Sequence, residues 1–389
     1  MESKLTVIVN EQVVGELVRE NKEYIFTYGA CGNVMDEKSY ISLTMPVRVK
    51  GYVYGQLFPI FEMHLPEGYL LSIIKKHFSK ITKMDDFGLL LVMAESIKGR
   101  LSYRESTLSR KQDLTLDHLL HPQSETLFEE LVTKFALTSA LSGVQPKVLA
   151  RVQDKATLSL QDYIVKSWGD DYPQLAINEF YCMSVLRKAN VDVPEFYLSD
   201  DNQLFIMKRF DVTRDGHYLG FEDMCVLQAK QRDDKYEGSY EQVANTIKTF
   251  VSPKYKKESL KQYYKMIVIN YSVKNGDAHL KNFGLIYEDL DGIKLAPAYD
   301  VVSTAVYIKN DIPALSLLGS KKWWGKKHLI RFGIEHCDLS NKEANDLYAE
   351  CANALKEVAS EITHRLTLEK SSEVRKILFA LLRKLGSNK

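Results

Sequence analysis

The sequence predicts an α+β chain, and three observations carry that prediction. Short β-prone runs separated by polar pairs fill the start, the centre from about 140 to 315 alternates strand-like and helical patterns, and the end carries helical segments behind capping signals. At 389 residues the chain is long enough for two or three packed units. Apolar residues at 45% and charged residues at 26% are ordinary globular values, which excludes disorder, collagen-like repeats and a coiled coil. Lys+Arg at 52 against Asp+Glu at 51 leaves a net charge of +1, so no bulk basic field attracts nucleic acid, although a local patch stays open.

Taken in order, runs 5–9, 13–18 and 24–28 are broken at Asn10-Glu11 and Asn21-Lys22 and read as an antiparallel meander. Residues 41–46 alternate apolar and polar like a further strand that stops at Pro46. From 57 to 94 the spacing turns helical, as in Leu70, Ile73 and Ile74, and 99–125 is a polar connection. Boundaries therefore fall at 1–100, 101–125, 126–215 and 216–389. Run 163–166 is strand-like, 176–189 helical with Ile177, Phe180, Tyr181 and Val185 on one side, 204–207 strand-like, and 263–273 a buried helix or a strand, the Lys-rich polar start before it favouring the helix. Ser340 with Glu343 forms a capping box ahead of 344–358, and Ser371 and Ser372 precede a last helix over 374–385.

Five widely spaced cysteines without a CxxC pair read as a reduced protein, which places the chain in the cytoplasm. The strongest apolar run, 87–94, falls far short of the ~20 residues that a membrane helix needs, and the first ten residues lack the apolar core of a signal peptide.

The most informative stretch is Asn275-Gly-Asp-Ala-His-Leu-Lys-Asn-Phe-Gly284. Asp277 and Asn282 have the D-x-x-x-x-N spacing of a kinase catalytic loop, in which a carboxylate orients an attacking hydroxyl and a neutral amide holds a metal ion on the phosphates. On spacing alone a polar turn between two apolar segments is the favoured reading. Eighteen residues on, Asp300 sits in the apolar, strand-like run Leu295-Ala-Pro-Ala-Tyr-Asp300-Val-Val, the place of a second metal ligand. Upstream, Lys166 ends a β-prone run, as a phosphate-neutralising lysine does, and Glu179 stands thirteen residues later on the 176–189 helix. Singly, these are a strand end and a solvated helix face; together they stand in kinase order. Leu141-Ser-Gly-Val-Gln-Pro-Lys147 reads as a phosphate-covering loop or as a plain Gly-Pro turn. His118 and His121 lack the further ligands of a zinc site. Trp323-Trp324 amid lysines reads as a core-anchoring turn, with an aromatic-basic nucleic-acid patch as the alternative. Neither G-x-S-x-G nor H-E-x-x-H occurs.

These residues, with Val13-Val-Gly-Glu-Leu17, Ile41-Ser-Leu-Thr-Met-Pro46, His64-Leu-Pro-Glu-Gly68, Met207-Lys-Arg-Phe-Asp211 and Glu222-Asp-Met-Cys225, give the chain a resemblance to the HipA family of serine/threonine kinase toxins from bacterial type II toxin–antitoxin modules. The resemblance spans nearly the whole length and implies a bilobal, protein-kinase-like fold with a small N-terminal mixed subdomain and a helical C-terminal lobe. It implies ATP and Mg²⁺ as cofactors and Asp277 as catalytic base. Asn282 and Asp300 would be the metal ligands. Nucleotide contacts would come from Ser142, Gly143, Val144, Gln145, Pro146, Lys147, Lys166, Lys208, Arg209, Phe210, His279, Leu280, Lys281, Asn282, Tyr299 and Asp300. The implied partner is a HipB-like helix-turn-helix antitoxin through which operator DNA is reached, and the implied target a translation component such as an aminoacyl-tRNA synthetase. Two positions depart from the family pattern. Ala140 stands where a regulatory serine is common, leaving Ser142 and then Ser139 as autophosphorylation candidates, and Lys208 stands where an acidic residue is common. A small-molecule kinase on the same scaffold and a non-catalytic co-repressor module are the alternatives.

Overall fold

In the computed structural model, the residues described are 3–29, 37–65, 85–94, 97–103, 114–115, 120–121, 147–153, 160–167 and 172–386. The chain divides into two compact units. One comprises Met1–Ser167, Lys208–Arg232 and Tyr287–Asp289, and the other Trp168–Met207, Asp233–Ile286 and Leu290–Lys389.

The first unit opens with the expected meander: β1 (Ser3–Val9), β2 (Gln12–Glu20) and β3 (Glu23–Tyr28) pair antiparallel in sequence order. Both turns are two-residue turns with positive φ throughout, 47° and 66° at Asn10 and Glu11 and 48° and 71° at Asn21 and Lys22. That backbone twist matches the twist of the flanking strands. Strands β4 (Tyr52–Tyr54) and β5 (Leu101–Tyr103) complete a sheet of order β4-β3-β2-β1-β5. Its buried face, with Leu5, Val7, Leu17 and Phe26 fully covered, packs on short helices at Pro59–Glu62 and Asp86–Met93. Phe26 meets Phe61 at 5.7 Å and Tyr24 meets Phe87 at 5.9 Å between ring centroids.

Residues 41–46 are not the strand that their alternation predicts. They form a tight turn with a bridge between Ser42 and Met45, held as the Tyr28 hydroxyl donates to the Met45 carbonyl (2.6 Å) and accepts from the Ile41 N–H (2.8 Å). The inward serine is explained by Glu222, which sits on β11 (Gly220–Asp223) and is fully buried. Its carboxylate accepts from the Ser42 hydroxyl (2.7 Å), the Leu43 N–H (2.8 Å) and the Tyr287 hydroxyl. Arg100 lies over the rings of Tyr40 and Tyr287 at 4.4 and 5.5 Å. Later in this unit, β6 (Leu114–Thr115) runs parallel to β7 (Lys147–Gln153). That strand pairs antiparallel with β8 (Leu160–Lys166), setting Lys147 opposite Lys166.

The second unit is mostly helical. The helix predicted over 176–189 spans Leu175–Lys188 and is buried on nearly every side, Asn178 and Glu179 included. The 263–273 segment is the inner half of a helix Pro253–Val273. Its run of apolar residues without a polar face reflects a helix enclosed all round, with Tyr263, Tyr264, Ile267 and Ile269 at 0% exposure. Helices Tyr240–Phe250, Lys326–His336, Asn341–Leu368 and Ser372–Leu385 surround it. The capping box at Ser340 and Glu343 forms as expected, but the helix runs ten residues beyond 358. There Arg365 donates to the Asn202 side-chain oxygen at 2.6 Å. Two small ladders, β9 (Phe196–Leu198) with β10 (Phe205–Lys208) and β12 (Gly284–Tyr287) with β13 (Lys294–Leu295), complete the elements. No described helix is long and apolar enough to cross a membrane.

Candidate active site

Asp277 lies on a loop that begins where the Pro253–Val273 helix is stopped. Lys274 takes a left-handed conformation (φ 59°, ψ 57°), and the Asn275 N–H turns back to the Asn270 carbonyl at 2.9 Å. Asn275 is 1% exposed; its amide donates to Asn270 Oδ1 (2.7 Å), and its own Oδ1 accepts from the Asp277 N–H (3.1 Å). This is an Asx turn, and it fixes the backbone of Asp277 while leaving the carboxylate part-exposed. Asp277 Oδ1 accepts a hydrogen bond from the Tyr236 hydroxyl at 2.7 Å. Beyond it, the Tyr240 hydroxyl donates to the Ala278 carbonyl at 3.0 Å. Phe283, 1% exposed and edge-on to Tyr240 and Tyr263, anchors the exit.

A second brace holds Gly276. Its N–H donates to the Thr304 hydroxyl oxygen at 2.6 Å, and that hydroxyl is shared with the Lys274 carbonyl and the Asp311 carboxylate. A Cβ at position 276 would lie 2.2–2.5 Å from the Asp311 carboxylate. We predict that Gly276→Ala costs roughly 1–3 kcal/mol by overpacking this brace. Chemical unfolding checks it, and an unchanged unfolding midpoint would show that the carboxylate gives way freely.

Asn282 and Asp300 meet directly. Asn282 is 5% exposed; its Oδ1 accepts from the His279 N–H (3.0 Å) and its Nδ2 donates to Asp300 Oδ2 (3.0 Å). Asp300 does not lie in a strand. It occupies irregular backbone with φ 60°, and it is part-exposed, not buried in an apolar run. The apolar neighbours that suggested a strand face inward on their own account, with Ala298 and Val301 at 0% and 2% exposure. Lys281 contributes its carbonyl to the Tyr299 hydroxyl (2.8 Å), and Leu280 is a fully buried anchor. The second unit thus brings together Asp277, His279, Leu280, Lys281, Asn282, Tyr299 and Asp300. Asn282 and Asp300 offer amide and carboxylate oxygen, and among the described residues no group of three His, Cys, Asp or Glu could hold a metal ion. A donor set of this kind fits a hard cation that takes its remaining ligands from phosphate and water, as Mg²⁺ does.

The other expected contacts belong to the first unit or lie outside the described residues. Lys166 closes β8 in the first unit at 3% exposure, and Glu179 is 1% exposed on its helix in the second. Buried charges of this kind are kept for a partner, not left at a solvated face. Lys208, Arg209 and Phe210 belong to the first unit. In Arg209, 8% exposed, Nε donates to Asp211 Oδ1 (2.8 Å) and a terminal nitrogen donates to the Lys98 carbonyl (3.1 Å). Phe210 packs edge-on against Phe221. Lys147 begins β7. Ser139, Ser142, Gly143, Val144, Gln145 and Pro146 lie outside the described residues, as does His118, while His121 is exposed. The Trp323 and Trp324 indole N–H groups donate to the carbonyls of Asp311 (2.7 Å) and Leu317 (2.8 Å), the anchored-turn reading of that pair.

Sequence reasoning missed Tyr236, Thr304, Asp311 and Asn178. The last, fully buried, donates to the Ser303 carbonyl (3.0 Å) and accepts from the Ser303 N–H (2.8 Å), so it fixes the segment after Asp300. Tyr236 is 41 residues from Asp277 along the chain, and no spacing rule links them.

Residues 139–359, more than half of the chain, match the HipA-like C-terminal domain, and residues 5–104 match the HipA N-terminal domain. The chain belongs to the HipA family. Its α+β, kinase-like fold has a counterpart in the toxin HipA of Shewanella oneidensis, solved with HipB and operator DNA. There the TM-score is 0.70 at 17% identity, covering 98% of this chain and 97% of that one. Among curated proteins this HipA-family chain is similar to one from Sinorhizobium fredii named "Putative kinase Y4dM", 29% identical over 68% of this chain. It is also similar to a Haemophilus influenzae protein named "Putative kinase", 30% identical over 47%. The matched regions cover 66% and 59% of those relatives, less than two thirds of their length.

Proposed function

We propose that this HipA-family protein is an ATP- and Mg²⁺-dependent protein serine/threonine kinase that acts as the growth-inhibiting toxin of a toxin–antitoxin pair. The observation that carries the reading is the Asp277 carboxylate, held on a doubly braced loop and already receiving a hydroxyl hydrogen bond at 2.7 Å. A general base must lie within hydrogen-bond reach of the proton it accepts, and Asp277 meets that distance with a hydroxyl donor. In the proposed mechanism an acceptor serine or threonine takes the place of the Tyr236 hydroxyl, and Asp277 orients it and receives its proton. Asn282 and Asp300 would hold Mg²⁺, which neutralises charge on the phosphates when bound. Lys166 would supply a cation for the nucleotide phosphates, the role that the family resemblance implies. Catalysis would rest on positioning and electrostatics, since phosphoryl transfer asks little covalent chemistry of the protein.

The proposed partner is a helix-turn-helix antitoxin that carries the pair to operator DNA, a reading supported by the HipB–DNA assembly of the structural neighbour. A translation component such as an aminoacyl-tRNA synthetase is the proposed target. Intact-mass analysis after incubation with Mg-ATP, alone and with lysate, tests the kinase reading. A gain of one phosphate mass on the chain or on a lysate protein is expected. Transfer to metabolites alone would replace it by a small-molecule kinase, and no transfer despite nucleotide binding would leave a co-repressor. Asn282→Ala is expected to lower the maximal rate roughly a hundredfold and to raise the Mg²⁺ concentration needed for half of it. A titration of rate against Mg²⁺ checks this, and an unchanged Mg²⁺ requirement would remove Asn282 from the metal site.

A further inference from the structure

Beside the loop that carries Asp277, the second unit has a cleft of about 490 Å³ whose lining the proposed phosphoryl transfer does not use. That volume suits a small organic ligand. Lys274, Lys309 and Lys384 line it, with Trp323, Tyr307 and Ile308 supplying apolar surface. Lys274 Nζ lies 4.9 Å from the Trp323 ring centroid, and the ring is fixed by its indole bond to the Asp311 carbonyl and by edge contact with Tyr271 at 5.4 Å. Burial, and then the positive charge of Lys384, hold the Lys274 ammonium below its ordinary pKa. Among the described residues neither lysine forms an ion pair with a carboxylate. The carboxylate in the lining, Asp311, is turned onto the Thr304 hydroxyl and the Ile312 N–H. Two lysine charges lining one cleft, that of Lys274 over the Trp323 ring, leave a strong demand for a counter-ion.

We infer that this cleft is a binding site for a small organic anion, one phosphate or carboxylate on an aryl or similarly flat apolar body. The anionic group pairs with Lys274 and Lys384, and the apolar body lies against Trp323, Tyr307 and Ile308. The cleft also reaches the catalytic loop. Lys274 precedes Asn275 directly, and its carbonyl accepts from the same Thr304 hydroxyl that accepts from the Gly276 N–H. An occupant therefore touches residues that set the loop.

The site is tested without nucleotide, so its failure is separate from failure of the kinase reading. Phenyl phosphate is titrated into the full-length protein by calorimetry, beside inorganic phosphate and uncharged benzyl alcohol. Saturable binding of phenyl phosphate at about 1 mM or tighter is expected, with inorganic phosphate weaker and benzyl alcohol silent. Lys274→Met and Lys384→Met should each weaken it about tenfold, with melting curves confirming that the variants are folded. Lys384→Met, on the last helix, keeps the test alive if the capping position of Lys274 tolerates no change. No saturable heat up to about 10 mM, or equal affinity in wild type and folded variants, would overturn the inference.

Discussion

Replacing Asp277 by asparagine is expected to lower phosphoryl transfer roughly a thousandfold, within the range that general-base groups contribute. The substitution keeps the shape of the side chain. An amide oxygen can still accept from the Tyr236 hydroxyl, and the backbone remains held by Asn275 and by the brace at Gly276. What is lost is the negative charge that receives the acceptor proton. Transfer should therefore fall while the melting temperature stays within a degree or two of wild type. A variant that retains most of its transfer would remove Asp277 from the role of base, whatever else the loop does.

The second large effect is expected in the first unit, at Glu222. Its carboxylate gathers the Ser42 hydroxyl, the Leu43 N–H and the Tyr287 hydroxyl, with Arg100 supplying opposite charge. Glu222→Ala would strand these donors in a buried place, at a cost of about 3 kcal/mol. For a unit of this size that lowers the melting temperature by roughly 6–12 °C. Glu222→Gln should cost much less, since its amide oxygen still accepts and the Ser42 hydroxyl can reverse its role. The two also separate with pH. Burial holds the Glu222 carboxyl above its ordinary value of 4.5, against the opposing pull of its donors and of Arg100. The folded protein thus keeps the proton to higher pH than the unfolded chain. That contribution to stability is fully present below 4.5 and is lost as pH rises through the folded value. Glutamine has no proton to lose, so melting curves of the two proteins should diverge across this window, the wild type losing ground as pH rises. Parallel curves would mean that Glu222 is ionised at the same pH folded and unfolded.

Local chemistry made much of the fold legible. The Asn10-Glu11 and Asn21-Lys22 pairs mark two-residue turns because the positive φ they require is cheapest for residues such as asparagine. Ser340 and Glu343 announce a helix start because the cap is satisfied within four residues. The D-x-x-x-x-N spacing was readable for the same reason, since one short loop carries both residues. Residues 41–46 misled because a polar–apolar alternation also arises when a serine turns inward to a carboxylate 180 residues away. Asp300 misled because apolar neighbours do not make a strand by themselves, and among the described residues none pairs with it in a ladder.

By itself, then, the sequence determined the α+β class, the order of the main elements and the candidate loop that carries Asp277 and Asn282, all features set by contacts among near neighbours or by a family pattern spread over the chain. Tertiary structure alone decided which groups bear on those residues: Tyr236 on Asp277, Thr304 and Asp311 on Gly276, Asp300 on Asn282, and two lysines 110 positions apart lining one cleft. The physical reason is range. Turns and caps are closed by a few residues whose cost and gain are local, whereas a hydrogen bond across tens or hundreds of residues exists only once the core has packed, and nothing in the spacing of either partner records it.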